Sequence, residues 1–151
     1  MKRPGAAAAV LLLAASLAGP ASPAGDRGKG APPWTAPEEA QNRSNPIPPA
    51  PGSVESGRIV YEKYCLSCHG RDGKGKGPVA TRLDFSAGDL TDGGRMSAQT
   101  DGAIFWKIAT GRDPMPAFKE TGSLTDEQIW NVINYTRTFA PPADDKTPPD
   151  E

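Results

Sequence analysis

Cys65-Leu66-Ser67-Cys68-His69 contains both cysteines and the only histidine of a 151-residue chain. Two thiols three positions apart lie about one helical turn from each other, so both can face one object. Several chemistries use such a pair. A thioredoxin-like disulfide wants a βαβ setting, and no such alternation is readable around it. A structural zinc site takes four ligands, and the chain offers three Cys and His in total. A surface disulfide in an exported protein accounts for the cysteines and leaves the histidine idle. Addition of both thiols to the vinyl groups of haem, with the adjacent imidazole under the iron as proximal ligand, employs all three residues.

An iron held by His69 has a sixth position to fill, and a second histidine is not there to fill it. The candidates are Met115, Met96, a lysine or an open site, because Met1 belongs to a segment read as a signal. Met115 lies in Asp113-Pro114-Met115-Pro116-Ala117-Phe118, stiffened by two prolines, whereas Met96 precedes a helix start, where packing is the simpler role.

These residues must be positioned by a small domain. Seventeen Pro and seventeen Gly are more than average usage. The prolines gather between Ala31 and Gly52 and again from Pro141 onward. Residues 1–24 read as a signal peptide: Met1-Lys2-Arg3, an Ala/Leu/Val run over 6–18, then small residues, with cleavage near Ala24. The alternative is an uncleaved anchor, although the run is short of the about 20 residues a bilayer span needs. Residues 25–52 form a Pro-rich extended leader, 53–140 the folded domain, and 141–151 an acidic tail expected to be disordered. Trp34 in the leader is too large to leave exposed; it packs on its own domain or on a partner.

The net charge of −1, and eleven basic against eleven acidic residues over 54–140, give no face for nucleic acid. A first helix is expected from Ser53 as cap, placing Gly57, Tyr61 and Tyr64 on one face. A glycine-rich loop follows over 70–77, then a short helical turn at 79–83 and another loop. The next helix buries Ile104, Phe105 and Ile108 and ends at Gly111. The last helix has a capping box, Thr125 with Gln128, and a staple, Leu124 with Ile129. Its apolar stripe is Ile129, Val132, Ile133, Thr136 and Phe139, and Pro141-Pro142 stop it. The fold class is thus all-α, three or four helices joined by long loops, with space for a non-protein body at the centre.

GRIVYEKYCLSCHGRDGKGKGP, DGAIFWKIATGRDPMPAF and LTDEQIWNVINYTRTF together resemble the class I, single-haem c-type cytochromes over Ser56–Phe139. The resemblance implies the small cytochrome c fold around one covalent haem c, with thioethers at Cys65 and Cys68. It implies His69 and Met115 as iron ligands, and the Pro78 carbonyl as acceptor for His69 Nδ1–H. Its first and last helices would cross at Gly57 and Tyr61, against Val132 and Tyr135. Trp106, Arg95 and Arg112 are candidates for the haem propionates, with core packing the alternative for Trp106 and solvent for the arginines. A saturated iron of this kind moves electrons and leaves no place for substrate, so the implied role is a periplasmic one-electron carrier and not an enzyme. Its partners would be redox proteins or a membrane respiratory complex, and the mature chain would carry no transmembrane helix. Two rivals follow: a haem subunit fixed in a larger oxidoreductase complex, and a five-coordinate haem protein that binds ligands.

Overall fold

The computed structural model describes residues 33–140. The signal peptide, the start of the leader and the acidic tail expected above lie outside the described residues. Seven helices occur among the described residues: α1 (Glu38–Gln41), α2 (Pro51–Tyr64), α3 (Leu66–His69), α4 (Pro78–Arg82), α5 (Gly93–Ser97), α6 (Asp101–Thr110) and α7 (Asp126–Arg137). The extended structure there is limited to an isolated bridge between Arg112 and Met115. The fold of the described residues is therefore all-α, as expected, and no described helix is long and apolar enough to cross a membrane.

The largest helix–helix contact is between α2 and α7. It exists because Gly57 has no side chain: a Cβ there would collide with the Asn131 carbonyl and come within 2.9 Å of Tyr135 Cβ. Tyr61, one turn on, sets its ring 5.3 Å from that of Tyr135, edge to face. The crossing thus falls where the sequence placed it, with the Asn131 backbone, not Val132, as the nearest neighbour of Gly57. α2 begins two residues before Ser53, because Pro51 occupies its first turn with φ already set for a helix. Ser53 still serves that end, its Oγ accepting from the Ala50 N–H at 3.1 Å.

α7 starts as expected. Thr125 Oγ1 accepts from the Gln128 N–H, Gln128 Oε1 accepts from the Thr125 N–H, and Leu124 and Ile129 are both buried. Its burial exceeds the expected stripe, since Trp130, Asn131 and Asn134 are buried as well. The segment expected to be only an extended leader causes this for Trp130 and Asn134. It contains α1, and it packs across α6 and α7. Gly102 at the start of α6 lies so close to the Ala40 and Arg43 carbonyls that a Cβ would clash with them. Thr100 caps α6 and donates to the Gln41 carbonyl at 2.7 Å. Asn134, 4% exposed, donates to the Ile47 carbonyl at 3.0 Å and accepts from Asn45 Nδ2 at 2.8 Å. The Arg43 guanidinium stacks over Phe105 at 4.2 Å and Trp130 at 5.2 Å. α5, not anticipated from sequence, is capped by Asp92 and buries Met96. Arg137 ties it to its neighbours, donating to the Met96 and Gln99 carbonyls and to Asp101 Oδ1.

Candidate haem site

The pentapeptide is a helical turn appended to α2. Cys65 closes α2 and opens α3, its N–H donating to the Tyr61 carbonyl at 2.8 Å. Both cysteines are free and half-buried. The loop that follows is clasped to this turn by main-chain bonds. Gly75 N–H donates to the His69 carbonyl at 2.8 Å, and Gly77 N–H to the Cys68 carbonyl at 2.9 Å. The approach requires glycine at 77, where a Cβ would stand 2.5 Å from the Ser67 carbonyl oxygen. Tyr61 Oη donates to the Gly70 carbonyl at 2.7 Å in a buried bond, so the α2–α7 crossing and the end of α3 are one rigid unit. The glycines expected to bring the loop to a haem edge therefore first bring it to the backbone of α3.

Burial pushes the His69 imidazole below its ordinary pKa, and the Arg95 cation adds to this while the Gly88 backbone opposes it. The ring is thus held neutral near pH 7, the form that ligates a metal. Its Nδ1 is buried and makes no hydrogen bond, so the expected bond to the Pro78 carbonyl is not formed. Pro78 instead starts α4, with its backbone committed to that helix. Gly88 lies near enough to act on the ring without bonding Nδ1. Burial, then the neighbouring Cys68, push the Cys65 thiol up to about 12. Cys65 is therefore not a poised thiolate of the kind a redox-active pair needs.

Met115 sits in the loop between α6 and α7. Gly111, at φ 62°, ends α6; Arg112 and Met115 then exchange both backbone hydrogen bonds, at 3.0 and 2.8 Å, around a cis Asp113–Pro114 peptide. Met115, Cys65, Leu66, Leu90 and Ile104 all pack on the core yet stay only half-buried. That leaves apolar surface for a further body to cover. Met96 is 3% exposed inside α5, a packing position. Trp106 and Arg112 both face Trp34, with ring centroids 6.5 Å apart for the tryptophans and the Arg112 guanidinium 4.9 Å above the Trp34 ring. Trp34 thus packs on its own domain. Arg95 is the arginine nearest the imidazole, its guanidinium against the Gly88 backbone. Two free thiols one turn apart, a neutral imidazole with an unpartnered nitrogen and an incompletely covered apolar rim together fit a haem.

Comparison with known proteins agrees. The sequence profile of the family described as cytochrome c oxidase, cbb3-type, subunit III matches residues 52–135. The cbb3-type cytochrome c oxidase subunit FixPc of Rhizobium leguminosarum bv. viciae is 34% identical over 93 residues, which are 61% of this chain and 30% of that protein. The chain therefore spans under a third of that relative's length. Among solved structures, the Kuenenia stuttgartiensis reducing HAO-like protein complex Kustc0457/Kustc0458 contains a similar chain. Its TM-score is 0.51 and its identity 26%, over 63% of this chain and 47% of that one.

Proposed function

Because the chain belongs to the cytochrome c oxidase, cbb3-type, subunit III family and is a c-type cytochrome carrying haem c in electron transfer, we propose that it is an exported one-electron relay serving a membrane-bound respiratory oxidase from the periplasmic side. Cys65 and Cys68 would hold the haem by thioethers, and His69 and Met115 would ligate its iron. When bound, the haem supplies a reversible one-electron iron couple. The protein's part is to keep both ligands in place in both oxidation states. The clasp of glycine backbone on α3 orients His69, and the closed turn at 112–115 presents Met115.

The observation that carries the axial pair is Met115 half-buried on the same core cluster that Cys65 and Leu66 join, while Met96 is spent inside α5. Support for the oxidase comes from the family and from the name of the relative. The leader packed over α6 and α7 makes residues 33–140 one domain, with 1–24 read as a signal peptide.

Absorption spectroscopy of the holoprotein tests the reading. The expected ferric form is low-spin with the weak near-red band of a methionine–iron bond, and Met115→Ala abolishes that band while Met96→Ala keeps it. The reverse pattern would assign the ligand to Met96. High-spin iron that takes up CO in the native reduced protein would sink the axial pair altogether.

A further inference from the structure

We infer that Trp34, which precedes the segment shared with the family, is a positioning residue for the Met115 loop and holds it closed through Arg112. Its consequence at the iron rests on Met115 being the ligand; its consequence for the loop does not.

The loop is held at both ends by main chain. Downstream, Phe118 N–H donates to the Ile108 carbonyl and Lys119 N–H to the Ala109 carbonyl, both at 3.2 Å, and Phe118 is buried. Upstream, the chain leaves α6 through Gly111, which lies so close to the backbone of Met115, Pro116 and Ala117 that a Cβ would stand 2.5 Å from the Ala117 nitrogen. Residues 112–115 are a closed turn, because Arg112 and Met115 satisfy each other's backbone groups. Whatever holds the Arg112 side chain therefore holds Met115 as well. Trp34 stands under the Arg112 guanidinium, 4.9 Å from its ring centroid.

Trp34 is itself well founded. Its ring leans on Trp106 of α6, with Lys107 Nζ 5.6 Å from its centroid. Two residues on, Ala36 is buried, and α1 then sits on Gly102. The ring is thus a fixed platform on α6, and Arg112 couples the 112–115 turn to that platform. The effect of Trp34 on the loop passes through the Arg112 guanidinium above its ring.

The test uses the full-length holoprotein and two readouts: hydrogen exchange at the Met115 amide, which donates to the Arg112 carbonyl, and binding of imidazole to the ferric form. Trp34→Ala is expected to speed that exchange and tighten imidazole binding about two- to fivefold, the factor an exposed cation–π contact supports. Trp34→Phe keeps both near the parent value, since it keeps an aromatic face. The Ile133 amide in α7 stays as protected as before. Unchanged exchange and imidazole affinity in Trp34→Ala would overturn the inference, and so would a parallel loss of protection at Ile133, which marks general loosening. Arg112→Ala alone should speed the same amide exchange; an unchanged rate would break the route through Arg112. Met115→Ala separates the two claims. If it leaves imidazole affinity untouched, the ligand assignment fails, while the amide exchange still decides the strap.

Discussion

The two sides of the site are held by different means. On the histidine side, residues 65–77 are fixed by main-chain bonds between near neighbours, Gly75 to His69 and Gly77 to Cys68, and by one buried tyrosine bond. On the methionine side, residues 112–115 form a turn closed by its own backbone bonds, and a side-chain contact from residue 34 braces it from outside. A locally hydrogen-bonded element is specified by its own sequence. A loop braced by a remote segment is specified only when the whole domain has assembled. The histidine side should accordingly resist perturbation at a distance, and the methionine side should register it.

That contrast can be broken or sharpened by substitution. The largest effect is expected from Cys65→Ser with Cys68→Ser, which removes both points of covalent attachment. The haem should then be lost under denaturing conditions, as haem staining of a denaturing gel would show. Next is Met115→Ala. The fold should persist, while potentiometry should find the potential lowered by a tenth or more of the ~0.8 V over which axial ligands move haem potentials. A third change, Gly77→Ala, drives a methyl group into the Ser67 carbonyl. It should cost about 1–3 kcal/mol in denaturant unfolding, as overpacking does, and disturb the histidine side first. Asn134→Ala unties the leader from α7 and leaves buried partners unpaired, a loss of about 1–3 kcal/mol. Its distinguishing sign is a weakened near-red band with the haem still covalently held.

The smallest effect belongs to Asp126, which the Lys119 ammonium at 2.6 Å holds below the usual aspartate range, with Arg43 of the leader contributing from 3.6 Å. A depressed carboxyl stabilises the fold above its ordinary pKa, and that contribution is lost as pH falls through the lower folded value. Asp126 is half-exposed, so Asp126→Asn should cost only about 0.2–1 kcal/mol at pH 7, shrinking as pH falls through the lowered folded value, in paired thermal melts.

The pentapeptide and α7 were legible in the sequence because their signals are local. A capping box or a Cys-x-x-Cys-His run can be read within a few positions of itself. The burial of Trp130 and Asn134 was not legible along α7, because the leader covers that face from some ninety positions upstream. The available hint was an apolar Ile47 beside Asn45 in a proline-rich stretch. Pro51 also announced the true start of α2, and Ser53 masked it by suiting a cap. That the expected Pro78 bond to His69 does not form could not be read, because it depends on where the glycine loop settles around the ring, and that loop follows α3.

The Asn134–Ser53 hydrogen bond joins residues 81 positions apart. In the order of folding events, such a contact closes late, since chain closure over that length must precede any gain from it. α3, built from bonds between neighbours, needs no such wait. Its two thiols and its imidazole can therefore reach their final spacing while the last helix is still undocked, when a large planar guest could be brought to them without passing through a finished wall.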